Sequence, residues 1–342
     1  MLKHLKYVLS AEDRKSIPSM LKELIHCGIL EKEIPFYYFT CLLHKKNSGN
    51  YRHFMGSKKV KKLYKARFEI VDVLANKRLF ADVLKLNDIP QSEILAINNG
   101  YEFIFNDVSQ ILNNSKDLEY VMKKLIDQSK FASVFVKPDD GYGGFNNYKV
   151  DLSNVGELVN KLFPLMNNIN FIFQEVIQQH DIINNIYDKS VNSLRIHSYK
   201  NPETGLIEIP SALMRFGIGG SIVDNISSGG IFVALDVDAW ELTGKGRSFL
   251  RSGGHFYDRH PDSNVLFDGY KLPYKDEILA IVKKATEIFQ NEVIGWDIAI
   301  TPIGSLVVEG NTRPHLIMAQ MACGGFKNHP VYSRIFADFF IG

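Results

Sequence analysis

Apolar positions along the first part of the chain recur with a helical period. Met20, Leu21, Leu24 and Ile25 predict one stripe of an amphipathic helix. Leu79, Phe80, Val83 and Leu84 predict a second, which must stop at Asn87-Asp88-Ile89-Pro90 because proline cannot continue a helix. From residue 131 the texture changes. Residues 131–136 form a short apolar run with β-branched and aromatic side chains, so they predict a strand. A glycine loop follows, then a strand near 148–150. Val155, Leu158, Val159, Leu162 and Phe163 return to the helical period. Further strands are expected at 171–177, 191–199, 206–216 and 231–237. A late helix is marked by Ile278, Ile281, Val282, Ala285 and Phe289. Two closing strands, 295–300 and 305–309, flank a turn at 302–304. The pattern is α+β with mostly antiparallel sheets. It divides into a mainly helical region 1–68, a central part 69–173 and a C-terminal part 174–342.

Composition adds limits. The chain has 342 residues, 45% hydrophobic and 23% charged, as in an ordinary globular protein of two or three lobes. No apolar run approaches the roughly 20 residues of a membrane-spanning helix. Residues 1–10 lack the apolar core of a secretory signal. A cytoplasmic protein is expected. Cys27, Cys41 and Cys323 match no metal-knuckle spacing and read as idle thiols. The net charge of +2 conceals an asymmetry. Residues 44–67 hold nine of the 40 Lys and Arg and none of the 38 Asp and Glu. That stretch reads either as a solvated face or as a peripheral docking patch for an anionic membrane or a lipid-linked glycan. No nucleic-acid motif accompanies it, so no nucleic-acid partner is expected.

Candidate chemistry begins at Lys137. A lysine at a strand end, followed by Gly141, Gly143 and Gly144, suits phosphates: the ammonium supplies charge and the glycines let backbone N–H groups approach. A plain hairpin turn would also explain the glycines, and the Walker spacing is absent. Asp297, Glu309 and Asn311 lie on two adjacent strands. Their oxygens suit Mg²⁺, which keeps other positions for water and phosphates. The alternative is a structural network with Arg195, Arg215 or Arg313. Arg195 and Arg215 each sit within an apolar strand, where an unpaired guanidinium is costly. They suit bidentate contact with phosphate or carboxylate, or else a structural salt bridge. Glycines crowd residues 217–230, which reads as a substrate-facing loop. His255 and His260 read as structural.

Together these segments resemble the ATP-grasp superfamily, specifically its sugar-transfer associated family. The carriers are Val136-Lys137-Pro138 with its glycine loop, Gln174-Glu175-Val176-Ile177, Val191-Asn192-Ser193-Leu194-Arg195, Gly219-Gly220-Ser221-Ile222-Val223-Asp224-Asn225, His260-Pro261-Asp262, Gly295-Trp296-Asp297 and Glu309-Gly310-Asn311. The resemblance covers about residues 75–320. It implies two α/β subdomains gripping ATP between antiparallel sheets. It implies Lys77 and Lys137 on the phosphates, Gln174, Glu175, Val176 and Ile177 as the adenine hinge, and Asp181 on the ribose. Arg195 would steady the γ-phosphate. Arg215, Asp224 and Asn225 would hold the carboxylate and acceptor. Asp297, Glu309 and Asn311 would hold two Mg²⁺ ions. The implied activity is a carboxylate–amine ligase acting through an acyl phosphate, joining small-molecule substrates in cell-surface polysaccharide assembly. Two other readings stay open: an ATP-dependent small-molecule kinase, and a non-catalytic ATP-binding scaffold.

Overall fold

A computed structural model describes residues 2–68, 72–140, 146–289 and 291–340. Four helices come first: α1 (Leu2–Ser10), α2 (Ile17–Glu31), α3 (Phe36–Thr40) and α4 (Ser57–Arg67). Then follow α5 (Asp72–Ala75), α6 (Lys77–Leu86), β1 (Ile94–Asn99), β2 (Glu102–Phe105), β3 (Val108–Ile111), α7 (Ser115–Gln128), β4 (Ser133–Pro138), β5 (Tyr148–Asp151), α8 (Val155–Met166) and β6 (Phe171–Glu175). The second half runs α9 (Asp181–Asn184), β7 (Ser193–Lys200), β8 (Ile207–Phe216), β9 (Ile231–Asp236), β10 (Glu241–Arg247), β11 (Phe256–Tyr257), α10 (Lys275–Phe289), β12 (Val293–Thr301) and β13 (Gly304–Asn311). It closes with α11 (Leu316–Ala322), α12 (Tyr332–Ile335) and α13 (Ala337–Phe340). The fold is α+β, and every strand pair with a described register within its two sheets is antiparallel.

The chain forms two compact units, and neither is continuous in sequence. One holds residues 1–70, 179–300 and 311–342; the other holds 71–178 and 301–310. The sequence reading divides the chain at 68 and 173, whereas the structure groups the N-terminal helices with the second half.

In the smaller unit, six strands run in the order β3-β2-β1-β6-β4-β5. Strand alternation explains the core. Val134 and Val136 of β4, with Phe171 and Phe173 of β6, point to the face covered by α7 and α8. Leu118, Val121, Met122 and Leu125 of α7 and Val155, Val159, Leu162 and Met166 of α8 complete it. Lys137, one residue past Val136, therefore points to the opposite face.

In the larger unit the strand order is β11-β10-β9-β8-β7-β12-β13. On one face α10 packs through Ile278, Val282 and Ala285. Thr286 donates to Ser198 Oγ at 2.7 Å, and the Trp296 indole donates to the same oxygen at 2.9 Å. Side chains one position away on β7 and β12, Arg195, His197 and Asp297, thus face the other side. A core of Val8, Cys27, Tyr38 and Leu43 joins the N-terminal helices to Leu213, Phe232, Met318 and Met321. The buried Gln320 amide ties α11 to Met55, accepting from its N–H at 2.5 Å and donating to its carbonyl at 3.2 Å.

Two helical stripes differ from their sequence reading. In α2 the core-facing positions are Met20, Leu24, Cys27 and Glu31, while Leu21 and Ile25 face outward. Adjacent apolar residues on a helix lie about 100° apart, so Met20-Leu21 could not share one face. In α6 the buried residues are Phe80, Ala81 and Leu84, and Leu79 is exposed. Its predicted end is met: α6 stops at Leu86, and Asp88 adopts φ +50°.

Two of the buried histidines, His44 and His197, contribute a pH dependence. Neither ring nitrogen of His44 has a hydrogen-bond partner among the described residues, and burial pushes its pKa down to about 4. His197 bonds Tyr332 through Nδ1 at 2.8 Å; burial and the Arg195 charge push it down to about 3. Both are neutral when folded. Once unfolded they return to the ordinary 6.5. The unfolded chain thus binds more protons below pH 6.5, so stability is full above that value and falls as pH drops toward 4. At pH 5.5 the expected loss is about 1.4 kcal/mol per histidine. Urea midpoints at pH 8 and 5.5 measure it. His44→Phe should reduce the drop by about 1.4 kcal/mol; an undiminished drop in that variant would refute the assignment.

Candidate functional site

In the smaller unit the chemistry centres on two lysines and a glutamate. Asn76 caps α6, accepting from the N–H groups of Arg78 and Leu79 at 3.0 Å each, which sets Lys77 at the first helical position. Asp139, two residues beyond Lys137, fixes this helix start. Its carbonyl accepts from Lys77 N–H at 3.2 Å and Lys77 Nζ at 3.3 Å. Its carboxylate pairs with Arg78 Nε at 2.8 Å. Burial pushes the Lys137 ammonium down to about 8; the Glu309 carboxylate opposes this and the Lys77 charge adds to it. Burial also lowers Lys77, with Glu309 again opposing. The half-buried Glu309 is thus electrostatically coupled to both lysines. The strand pairing Phe135↔Gln174 puts Gln174 on the same sheet face as Lys137.

The four hinge residues separate by their hydrogen bonds. The Glu175 backbone is occupied: its N–H donates to Glu93 O at 2.9 Å and its carbonyl accepts from Ser92 Oγ at 2.6 Å. Its carboxylate accepts from Lys130 N–H at 3.0 and 3.2 Å. The Gln174 side chain donates to Ser92 O at 3.3 Å. The backbone groups of Val176 and Ile177 make no hydrogen bond among the described residues. Polar backbone groups in such a segment are available to a ligand.

In the larger unit Asp297 lies directly across from Arg195 in the β7–β12 register. The two form a bidentate pair, Arg195 Nε to Oδ1 and Nη2 to Oδ2, the second at 2.9 Å. Arg215 of β8 donates to the same Oδ2 at 3.0 Å. Arg215 also pairs with Asp224 at 3.2 Å, and Ser193 Oγ sits between them, accepting from Arg215 and donating to Asp224. Two arginines and two aspartates therefore balance. Burial raises the Asp297 pKa, yet the two guanidinium groups outweigh it and hold the carboxyl below its ordinary range. Asn311 donates from Nδ2 to Gly295 O at 3.3 Å, and its Oδ1 accepts no hydrogen bond among the described residues. Gly295 is needed there, since an added Cβ would sit 2.8 Å from Pro314 Cβ. Tyr64 of α4 holds this turn: its hydroxyl donates to Pro314 O and accepts from Leu316 N–H at 3.0 Å.

The glycine loop is the β8–β9 connection. His260 Nδ1 accepts from Asp262 N–H at 3.3 Å, so Nε2 donates to Gly217 O at 2.9 Å. Asp262 accepts from Gly219 N–H at 2.7 Å, and Tyr187 donates to Ser221 O at 2.8 Å. Gly230 closes the loop stem, where a Cβ would meet two backbone oxygens at 2.8 Å. Asn225 caps the single turn at 226–228 and accepts from Ser227 N–H at 3.0 Å.

The pattern of the sugar-transfer associated ATP-grasp family matches residues 57–329. The chain belongs to that family. No match is found among curated proteins. Among solved structures, the chain is similar to D-alanyl-alanine synthetase A from Vibrio cholerae at 12% identity and a TM-score of 0.47, over 79% of this chain and 66% of that one. It is similar to the ATP-grasp ligase PsnB complexed with a minimal precursor at 10% and 0.43, over 79% and 61%. A RimK domain ATP-grasp protein from Sphaerobacter thermophilus gives 14% and 0.42, over 79% and 69%. The chain spans just under two thirds of the first of these and 61% of the second.

Measured against the ATP-grasp expectations, Lys77, Lys137 and Glu309 share the smaller unit, while Arg195, Arg215, Asp297 and Asn311 share the larger. Gly141, Gly143 and Gly144 lie outside the described residues. Asp181 is exposed in the first turn of α9, with Asn184 Nδ2 at 3.5 Å its side-chain contact. For Asp297 the ion-pair alternative read from the sequence is realised with Arg195 and Arg215. Arg313 is exposed. Among the described residues no three His, Cys, Asp or Glu side chains cluster as a metal site. Of the expected set, Asn311 Oδ1 accepts no hydrogen bond among the described residues, and three donors occupy Asp297, leaving about one of a carboxylate's four lone-pair directions. Sequence reasoning missed Asp139, Arg78 and Tyr64 as positioning residues. Asp139 alone carried a signal, an acid two residues beyond the candidate lysine; Tyr64 reaches its partners across 250 residues and carried none.

Proposed function

We propose that this chain is an ATP- and Mg²⁺-dependent ligase. It would activate a small carboxylate as an acyl phosphate, releasing ADP, and join it to an amine with release of phosphate. The substrates proposed are an amino acid and a sugar-derived or amino-acid carboxylate, in assembly of cell-surface polysaccharide. The observation that carries the reading is the pair Lys77–Lys137 held against Glu309, in a chain of the ATP-grasp family. Two ammonium groups on one side suit a triphosphate, whose transfer depends on positioning and charge neutralisation.

In this reading the open backbone groups of Val176 and Ile177 take the adenine edge, after Glu175 and Gln174 have spent theirs on the sheet. Asp181 is exposed and suits ribose hydroxyls. Glu309, Asn311 and the free direction on Asp297 would hold Mg²⁺, which when bound supplies positive charge at the phosphate oxygens. Arg195 is anchored by Nε and Nη2, so Nη1 remains to meet an anionic oxygen. Arg215, steadied by Asp224 and Ser193, would orient the carboxylate, and Asn225 the acceptor at the anchored glycine loop.

The test is hydroxylamine trapping. The chain is incubated with ATP, Mg²⁺, hydroxylamine and a panel of amino acids and sugar acids. An acyl hydroxamate formed in step with ADP is expected from one acid. ADP release without hydroxamate would favour a kinase. Nucleotide binding without ADP release across the panel would favour a scaffold.

A further inference from the structure

We propose that helices α2 and α4 form a docking face for an anionic lipid bilayer, a property separate from the ligase reading. The first observation is a row of large apolar side chains at a spacing of four. Ile17, Leu21, Ile25 and Ile29 are 51%, 55%, 65% and 69% exposed. Leu30, Ile34 and Phe36 extend the exposed apolar surface beyond the helix. The row follows one side of α2, whose other side enters the core through Met20 and Cys27. It runs about 18 Å along the helix. With 15 residues, α2 is too short to cross a bilayer, and no described helix is long and apolar enough to do so. A short helix with one apolar side and nearby cations lies along the membrane surface.

The second observation is charge. α4 exposes Lys58, Lys61, Lys62 and Lys65, and none makes an ion pair among the described residues. Lys22 and Lys32 on and beside α2 are exposed as well and make no ion pair among the described residues. The three acids within residues 17–67 all have partners in the protein. Glu23 binds Lys15 and Tyr38. Glu31 binds Lys59, Lys327 and Gly56 N–H. Glu33 accepts from the N–H groups of Ser57 and Lys58 at 2.8 and 2.7 Å. Those last bonds cap the start of α4 with the chain leaving α2, so the apolar row and the lysines belong to one structural element. What remains outward is apolar and positive. A second copy of the chain on this face would set lysines against lysines; an anionic bilayer meets both features at once.

The experiment is co-sedimentation of the full chain with phosphatidylcholine vesicles, with or without 30 mol% phosphatidylglycerol, at 0.15 M salt. Binding to the anionic vesicles is expected to exceed binding to the neutral ones by about tenfold or more. Reversal of Lys58, Lys61, Lys62 and Lys65 to Glu should abolish that difference. Leu21→Gln with Ile25→Gln should weaken anionic-vesicle binding about tenfold while circular dichroism and melting stay unchanged, because both side chains are already exposed. In Ile25→Trp, indole emission should shift blue on adding anionic vesicles. The proposal is overturned if the parent chain stays in the supernatant, or if the glutamine pair leaves binding unchanged. It is equally overturned if the parent is a dimer that the glutamine pair dissociates, since the face is then covered by another copy.

Discussion

Asp297→Asn should lower the unfolding free energy by about 3–5 kcal/mol, because it leaves two guanidinium groups partnered to a neutral amide in a buried setting. Asp297 is 3% exposed and Arg195 is 7% exposed, so water cannot replace the lost charge. Asn311→Ala is the informative contrast. That side chain is half-buried and makes one long hydrogen bond, so its loss should change stability by about 1 kcal/mol or less. Both variants should lose Mg²⁺-dependent turnover. Urea denaturation with a coupled ADP assay separates the cases. Equal stability of Asp297→Asn and the parent would sink the claim that this carboxylate holds the strands together. Full activity of Asn311→Ala would remove it from the metal set.

The second large effect divides Lys137 from Glu309. Lys137→Ala should weaken ATP binding by about tenfold to a hundredfold, with and without Mg²⁺, since it deletes a charged contact to phosphate. Glu309→Ala should leave metal-free ATP binding intact or tighter, because it removes a negative charge coupled to both lysines. The same change should erase the gain in affinity that Mg²⁺ brings, along with turnover. Calorimetric titrations with ATP alone and with ATP plus Mg²⁺ measure both. A parallel loss in the two variants would show that Glu309 acts through the lysines and not through a metal.

The strands bearing the chemistry were legible because their apolar runs are short, β-branched and bounded by glycine or proline. β4, β6, β7, β8, β12 and β13 all fall on expected segments. The β1–β3 meander was not legible. Its strands are interrupted by Asn98, Asn99 and Gly100, and all four residues of β3 are exposed, so no apolar period announces it. The partners of Asp297 were named only as alternatives, because β7 and β12 pair across about a hundred residues and sequence gives no register for such a pair. The outward turn of Leu21 and Ile25 was missed for another reason. Apolar character alone does not say which side of a helix the core takes, and here the buried Glu31, with its lysines, marks the inner side. The hydrogen bonding of residues 174–177 was likewise not legible: the Glu175 backbone groups are taken up, while those of Val176 and Ile177 make no hydrogen bond among the described residues.

The larger unit joins the two ends of the chain. Met55 and Leu63 share a core with Phe326, Tyr332 and Phe336, and Gln320 grips Met55 across 265 residues. During synthesis the helices α1–α4 emerge well before the side chains at 316–336 that help to bury them. The six-stranded sheet of the smaller unit, by contrast, is complete once residue 175 is out. The six-stranded sheet can therefore form while α1–α4 wait with apolar faces uncovered, a long-range closure that slows folding and leaves those faces exposed to aggregation meanwhile.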